Sequence, residues 1–161
     1  MLIIALMIHC ERDEIQVIIS DDNFLNALIE LGVDKDNDGQ ISTAEAETVV
    51  SLNAYNNSIS DLTGIELFIN LDSLDCGLNQ LTELNVTKNT RMTFLKCEEN
   101  NLTTLDLSNN VRLKTLRCYS NSLKTLNLSN ITSLITLNCS DNLLTNLDVS
   151  NNMSLGNCWC S

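Results

Sequence analysis

The segment best suited to chemistry in this chain runs Asp34-Lys35-Asp36-Asn37-Asp38-Gly39-Gln40-Ile41-Ser42-Thr43-Ala44-Glu45. Three Asp and one Glu held this close repel one another, and a hard divalent cation with oxygen ligands is the usual reason a fold tolerates that. Asp34, Asp36 and Asp38 alternate, Gly39 permits a sharp turn, and the Gln40 carbonyl follows it. The competing reading is a loop without its metal, or a solvated acidic turn. Other chemistry is scarce. The only histidine is His9, so internal Ser-His-Asp triads, two-His zinc sites and a histidine general base are unavailable. With 21 Asp and Glu against 9 Lys and Arg, the net charge is −12, which repels a phosphate backbone and excludes nucleic acid as a partner.

Cysteine is the other reactive side chain, and its spacing leads from chemistry to architecture. Cys76, Cys97, Cys118, Cys139 and Cys160 stand 21 residues apart, as do Leu71, Met92, Leu113, Leu134 and Leu155. Leu74, Leu95, Leu116 and Leu137 lie two residues before the cysteines; Asn79, Asn100, Asn121 and Asn142 lie three after. Each unit reads LxxLxCxxNxL and continues into a TxLxV-like half. Cys158-Trp159-Cys160 looks like a redox or metal motif, but Cys158 falls on the Leu137 position and Cys160 on the cysteine column, so the repeat explains it. Cysteines in register fill one core column as small apolar groups with parallel Cβ vectors, which predicts free thiols.

These motifs resemble the leucine-rich repeat family in its short form from bacterial surface proteins, with Cys in place of a strand Leu. An irregular first unit, Val49 to Asn70, carries Leu52, Ala54, Asn57 and Ile59 in equivalent places, and its SDLTGIELFINL segment is similar to the internalin type. The predicted fold class is α+β: a short-repeat solenoid of parallel strands over 49–161, capped by a small helical module over 15–48. The LxC segment is a two-sided strand that buries its inward face only by stacking on its neighbours, about 4.8 Å apart. The Asn79 column is expected to turn inward and bond backbone groups freed at the coil corners. The TxLxV half is expected to form a second short extended segment on the opposite wall.

Segment 34–45 resembles the EF-hand calcium loop, which implies Ca2+ held by Asp34, Asp36, Asp38, the Gln40 carbonyl and Glu45. The flanks predict a short helix capped by Asp22, with Phe24, Leu25, Leu28 and Ile29 on one face, stopped by Gly32. A second helix is expected from Thr43 to about Val50, with Ala44 and Val49 inward. No second such loop exists to pair with Ile41, so Ile41 is expected to pack on the end of the solenoid. Residues 1–48 hold 11 acids and 2 bases, against 10 and 7 in 49–161. The acid sits at the cap, where calcium at an affinity of about 10⁻⁴ to 10⁻³ M stabilises and does not signal.

Residues 1–14 read as an export segment and linker. The apolar run Leu2–Ile8 is too short to span a bilayer and fits the core of a signal peptide. Cys10 before Glu11-Arg12-Asp13-Glu14 resembles a bacterial lipobox, implying a lipid anchor at Cys10. No Lys or Arg precedes the run and His9 replaces the usual small residue, so a generic or truncated signal and a buried amino-terminal strand remain open.

Outward strand positions form the columns Asp75, Lys96, Arg117, Asn138, Trp159 and Gly77, Glu98, Tyr119, Ser140. Phe94, Lys96, Glu98, Arg117 and Tyr119 are the candidate ligand-binding residues, offering aromatic and cationic contacts of the kind that carry interface energy; ordinary solvated surface is the alternative. Arg91 and Arg112 form a further basic column. The sixth unit stops at Ser161 in mid-strand, which suggests a fragment or a surface for end-to-end pairing. The expected function is a non-catalytic, extracellular or surface-held module that binds a protein or glycan through its strand face. The alternative is a structural spacer in a larger adhesin or surface enzyme.

Overall fold

The computed structural model describes residues 15–161. The export-segment and lipobox readings, Cys10 included, lie outside the described residues. Six three-residue strands form one parallel sheet in chain order: β1 (Ser51–Asn53), β2 (Ser73–Asp75), β3 (Phe94–Lys96), β4 (Thr115–Arg117), β5 (Thr136–Asn138) and β6 (Asn157–Trp159). Leu74 pairs with Leu95, Leu95 with Leu116, and Leu116 with Leu137. Leu52 pairs with Leu74 across the one longer unit, and Leu137 with Cys158. Strand alternation sends the middle residue of β1–β5 inward, where Leu52 to Leu137 are buried with Cys76, Cys97, Cys118 and Cys139 in one continuous core.

Each strand ends in a tight corner. Leu78, Glu99, Ser120 and Asp141 take left-handed backbone angles (φ 52 to 53°), and the asparagine that follows each one secures the turn. Asn100 shows the pattern: Nδ2 donates to the carbonyls of Cys76 (3.0 Å), Cys97 (3.2 Å) and Glu98 (3.1 Å), while Oδ1 accepts from the Leu81 amide (3.0 Å). One side chain thereby ties two coils together. A second asparagine ladder, absent from the sequence reading, crosses the opposite corner. Asn89, Asn110 and Asn152 are buried and donate to carbonyls of the preceding coil, as Asn89 does to Ile65 and Phe68. The period of 21 places all three in register, but Ile131 interrupts the column and hides the signal.

The TxLxV halves form no second sheet among the described residues. Their backbone closes on side-chain turns such as Thr87 N–H to Asn85 Oδ1 (3.2 Å), and neighbouring coils connect there through asparagine side chains.

Two helices precede the sheet, α1 (Asp22–Glu30) and α2 (Thr43–Ala46). The cap of α1 is Asp21, not Asp22: its Oδ1 accepts from the Phe24 amide (3.0 Å), while Oδ2 accepts from the Ser60 amide and hydroxyl (both 2.7 Å) and the Asp61 amide (3.1 Å). Asp21 therefore joins the helix to the first repeat, and Phe24 meets Phe68 of that repeat at 6.4 Å between ring centroids. The buried face is Phe24, Ala27 and Leu28, with Ile29 exposed. α2 starts at Thr43 as expected, fixed by a capping box of Ser42 and Glu45, but is shorter than expected and turns Ala46 inward instead of Ala44. Gly64 (φ +104°) lies where a Cβ would meet Ile18 O and Val17 Cγ1 at 2.9 Å, so the 15–19 strap packs directly on the first repeat.

Candidate functional site

The acidic loop is built by its own carboxylates. Asp34 accepts from the amides of Asn37 (2.7 Å) and Gly39 (3.0 Å), Asp36 from Asp38 (3.1 Å) and Asp38 from Gln40 (2.8 Å). Gly39 supplies the turn at φ +81°. The result brings one oxygen each of Asp34, Asp36 and Asp38 within 4.8 Å of one another, an all-oxygen donor set that suits a hard cation. Glu45, beside that trio, is fixed by the loop's own backbone: it accepts from the amides of Lys35 (2.5 Å) and Ser42 (2.8 Å) and from the Ser42 hydroxyl (2.9 Å). At Asp36 the Asp38 amide lowers the pKa, but desolvation and the charges of Asp38 and Glu45 outweigh it, so the net shift is upward. Desolvation and crowded like charges together cause this, and a bound cation would reverse it.

Ile41 finds its partner in the same chain. Its carbonyl accepts from the Val17 amide (2.7 Å), and the Thr43 amide donates to Ile15 (2.8 Å), an antiparallel bridge that pairs the loop with the strap. The Ile41 side chain is buried in the core.

The outward face of β3 and β4 gathers the five ligand-binding candidates. Lys96 pairs with Asp75 (2.9 Å) and lies 5.3 Å from the Phe94 ring centroid. Arg117 is exposed, and Tyr119 is half-buried with its hydroxyl 3.4 Å from Glu99. Glu98 corrects the sequence expectation of an exposed side chain: only 4% of the residue is accessible. Gly77, its neighbour in the column, has no side chain, and Glu98 folds into the space left. A Cβ on Gly77 would stand 3.2 Å from Glu98 Cγ and Cδ and from Tyr55 Cδ2. Burial pushes the Glu98 carboxyl up, reinforced by Asp75 and opposed by Lys96 and Arg117.

The interior cysteines are free and inert. Burial pushes the thiols of Cys76, Cys97 and Cys118 well up and that of Cys139 to about 11, far from the thiolate a nucleophile needs. Cys158 and Cys160 are free and exposed.

In-register parallel strands, buried Leu and Cys ladders and inward asparagines define a leucine-rich-repeat solenoid of internalin-like type. No family model matches the chain. It is 37% identical over 70 residues to internalin J of Listeria monocytogenes, which covers 44% of this chain and 8% of that protein. Its fold matches the functional domain of InlJ from the same organism at a TM-score of 0.81 and 38% identity, over 87% of this chain and 31% of that one. That domain is described as including a cysteine ladder, the arrangement that Cys76, Cys97, Cys118 and Cys139 form here. A second Listeria internalin, InlF, matches at 0.82 and 22% identity over 90% and 45% of the two chains. A leucine-rich-repeat protein of Leptospira interrogans matches at 0.63 and 22% over 75% and 34%. At that identity the last two show the fold alone. The chain spans less than half the length of these solved relatives.

Proposed function

We propose that this chain is a non-catalytic protein-binding module, displayed outside a bacterial cell, that presents the outward face of its parallel sheet to a protein ligand. The observation that carries this reading is the contrast between the two sides of the sheet. The inward columns repeat Leu, Cys and Asn to stack the coils, whereas the outward ones bring Phe94, Lys96 and Arg117 onto two adjacent strands with Tyr119 just past the second, all different. Aromatic rings and arginine on a rigid sheet are the groups that dominate protein interfaces. The likeness to the functional domain of InlJ supports the same reading.

The EF-hand-like loop would hold Ca2+ through Asp34, Asp36, Asp38, the Gln40 carbonyl and Glu45, and its role is structural. Support for this comes from the clustered carboxylates and from the loop's pairing with the strap that packs on the first repeat. Arg117→Ala and Tyr119→Ala should each weaken a protein partner by about 1–4 kcal/mol while leaving the melting temperature nearly unchanged. If both variants bind the partner as the parent does, the strand face is not the binding surface. A spacer role is then the better reading, consistent with the small fraction of internalin J that the chain matches.

A further inference from the structure

One feature of the strand face is unexplained by stacking. Glu98 is a carboxylate buried under the outward surface, and its Oε2 has no hydrogen-bond partner among the described residues. The cations beside it do not satisfy it. Lys96 is engaged by Asp75 and Phe94, and Arg117 favours the charged form of Glu98 without bonding to it. A desolvated carboxylate left this way is costly, and a folded protein relieves the cost by protonation or by an incoming cation.

Its surroundings suit the second outcome. Register along the sheet puts Tyr55, Gly77, Glu98 and Tyr119 in one column, the glycine forming a notch one strand wide. Tyr55 forms one wall of the notch, and Tyr119 lies beside Glu98 in the same column, one coil further along. A carboxylate flanked by aromatic rings is a match for guanidinium, which stacks on ring faces and bonds carboxylates in a fork. The net charge of −12 draws basic partners to the molecule.

We propose that the notch over Gly77 is a specificity subsite for an arginine side chain of the protein partner, with Glu98 as its anion and Tyr55 and Tyr119 as its flanks. The entering guanidinium draws the Glu98 carboxylate out of the notch and exchanges an unpaired oxygen for a paired one. This rests on the strand face being the binding surface, but it is testable without the partner.

The probe is N-acetyl-arginine amide, titrated into the full chain and followed by amide NMR, with N-acetyl-lysine amide and neutral N-acetyl-glutamine amide as comparisons. Saturable shifts at Gly77, Glu98 and Tyr119 are expected with a Kd on the order of millimolar, weaker for lysine and absent for glutamine. Glu98→Gln and Gly77→Ala should each weaken the arginine response at least tenfold, and saturating arginine should lower the titration midpoint of the Glu98 carboxyl in the unmutated protein. Equal shifts with glutamine, an unchanged response in Glu98→Gln, or a Glu98 midpoint unmoved by arginine would each overturn the subsite. A partner that loses affinity in Arg117→Ala but not in Glu98→Gln also overturns it while sparing the strand-face reading. Saturable arginine binding at the notch, with a partner that binds Arg117→Ala, Tyr119→Ala and Glu98→Gln as it binds the parent, leaves an arginine site but overturns both the strand face as the partner's surface and the notch as the partner's subsite.

Discussion

Replacing Asn100 by Ala isolates what one rung of the ladder contributes. Four hydrogen bonds disappear, but their consequences differ. The Cys76 carbonyl retains a bond from Asn79 Nδ2, the Cys97 carbonyl one from Asn121 Nδ2, and the Glu98 carbonyl one from the Leu78 amide. The Leu81 amide, on a fully buried residue, has Asn100 Oδ1 as its acceptor and is left with none. An orphaned buried donor costs about 1–3 kcal/mol, and losing the two shared amide protons adds about 1–3 kcal/mol, so a loss of about 2–6 kcal/mol is expected. Asn89→Ala is the comparison. Asn89 also donates to two carbonyls, but its Oδ1 serves no amide, so only the donor share, about 1–3 kcal/mol, should be lost. Urea unfolding of both variants at 25 °C measures the difference, with a shift in midpoint and an unchanged slope. Asn100→Asp is a further discriminator. It keeps the acceptor for Leu81 but turns a carboxylate toward three carbonyls, which raises its folded pKa. Such a variant is relatively more stable below about pH 4 and loses ground as pH rises. An Asn100→Ala variant no less stable than Asn89→Ala would refute the reasoning.

Acid should loosen the cap first. Burial tends to raise the Asp21 pKa, but its bonds to Ser60, Phe24 and Asp61 outweigh that and hold it below the ordinary 3.8. The stability it contributes is therefore present above about pH 4 and lost as pH falls through its lower folded value. Asp21→Asn should be less stable at neutral pH by about 1–3 kcal/mol and show a shallower acid decline in melting temperature; an unchanged pH profile would count against the bridge between helix and first repeat. Iodoacetamide on the native protein should modify Cys158 and Cys160 while sparing Cys76, Cys97 and Cys118, as read by mass spectrometry; rapid labelling of Cys97 would contradict the sealed interior. Raising calcium to ten to a hundred times a Kd of about 10⁻⁴ to 10⁻³ M should stabilise the fold by about 1.4–2.7 kcal/mol, and Asp34→Ala should abolish the gain. A melting temperature indifferent to calcium in the parent chain would remove the metal from the account.

The solenoid was legible in the sequence because each coil repeats the same inward demand. Leu74, Cys76 and Asn79 recur at 21 residues, and in-register stacking satisfies all three ladders at once. What escaped depends on contacts between coils or on closely matched neighbours. Glu98 is outward by alternation, and its burial follows from the missing side chain of Gly77 one coil earlier. The Asn89 ladder lies at a corner where asparagine reads equally as surface, and Ile131 breaks its rhythm. Asp21 and Asp22 are adjacent acids, and the choice between them as helix cap is made by Ser60 and Asp61 in the first repeat. The carboxylates of Asp34, Asp36 and Asp38 meet as their alternation implied, and Glu45 also serves the Ser42 capping box, a second role that ligand spacing alone does not reveal.

Stacking in register is the claim under all the rest, and the cysteine column reports on it most directly. In protein carrying isotope-labelled cysteine, cysteines of neighbouring coils about 4.8 Å apart are within range of proton–proton NMR contacts. An unbroken series from Cys76 to Cys97, Cys118 and Cys139 is expected. Cross-peaks missing between Cys97 and Cys118, with each instead close to unrelated side chains, would contradict it.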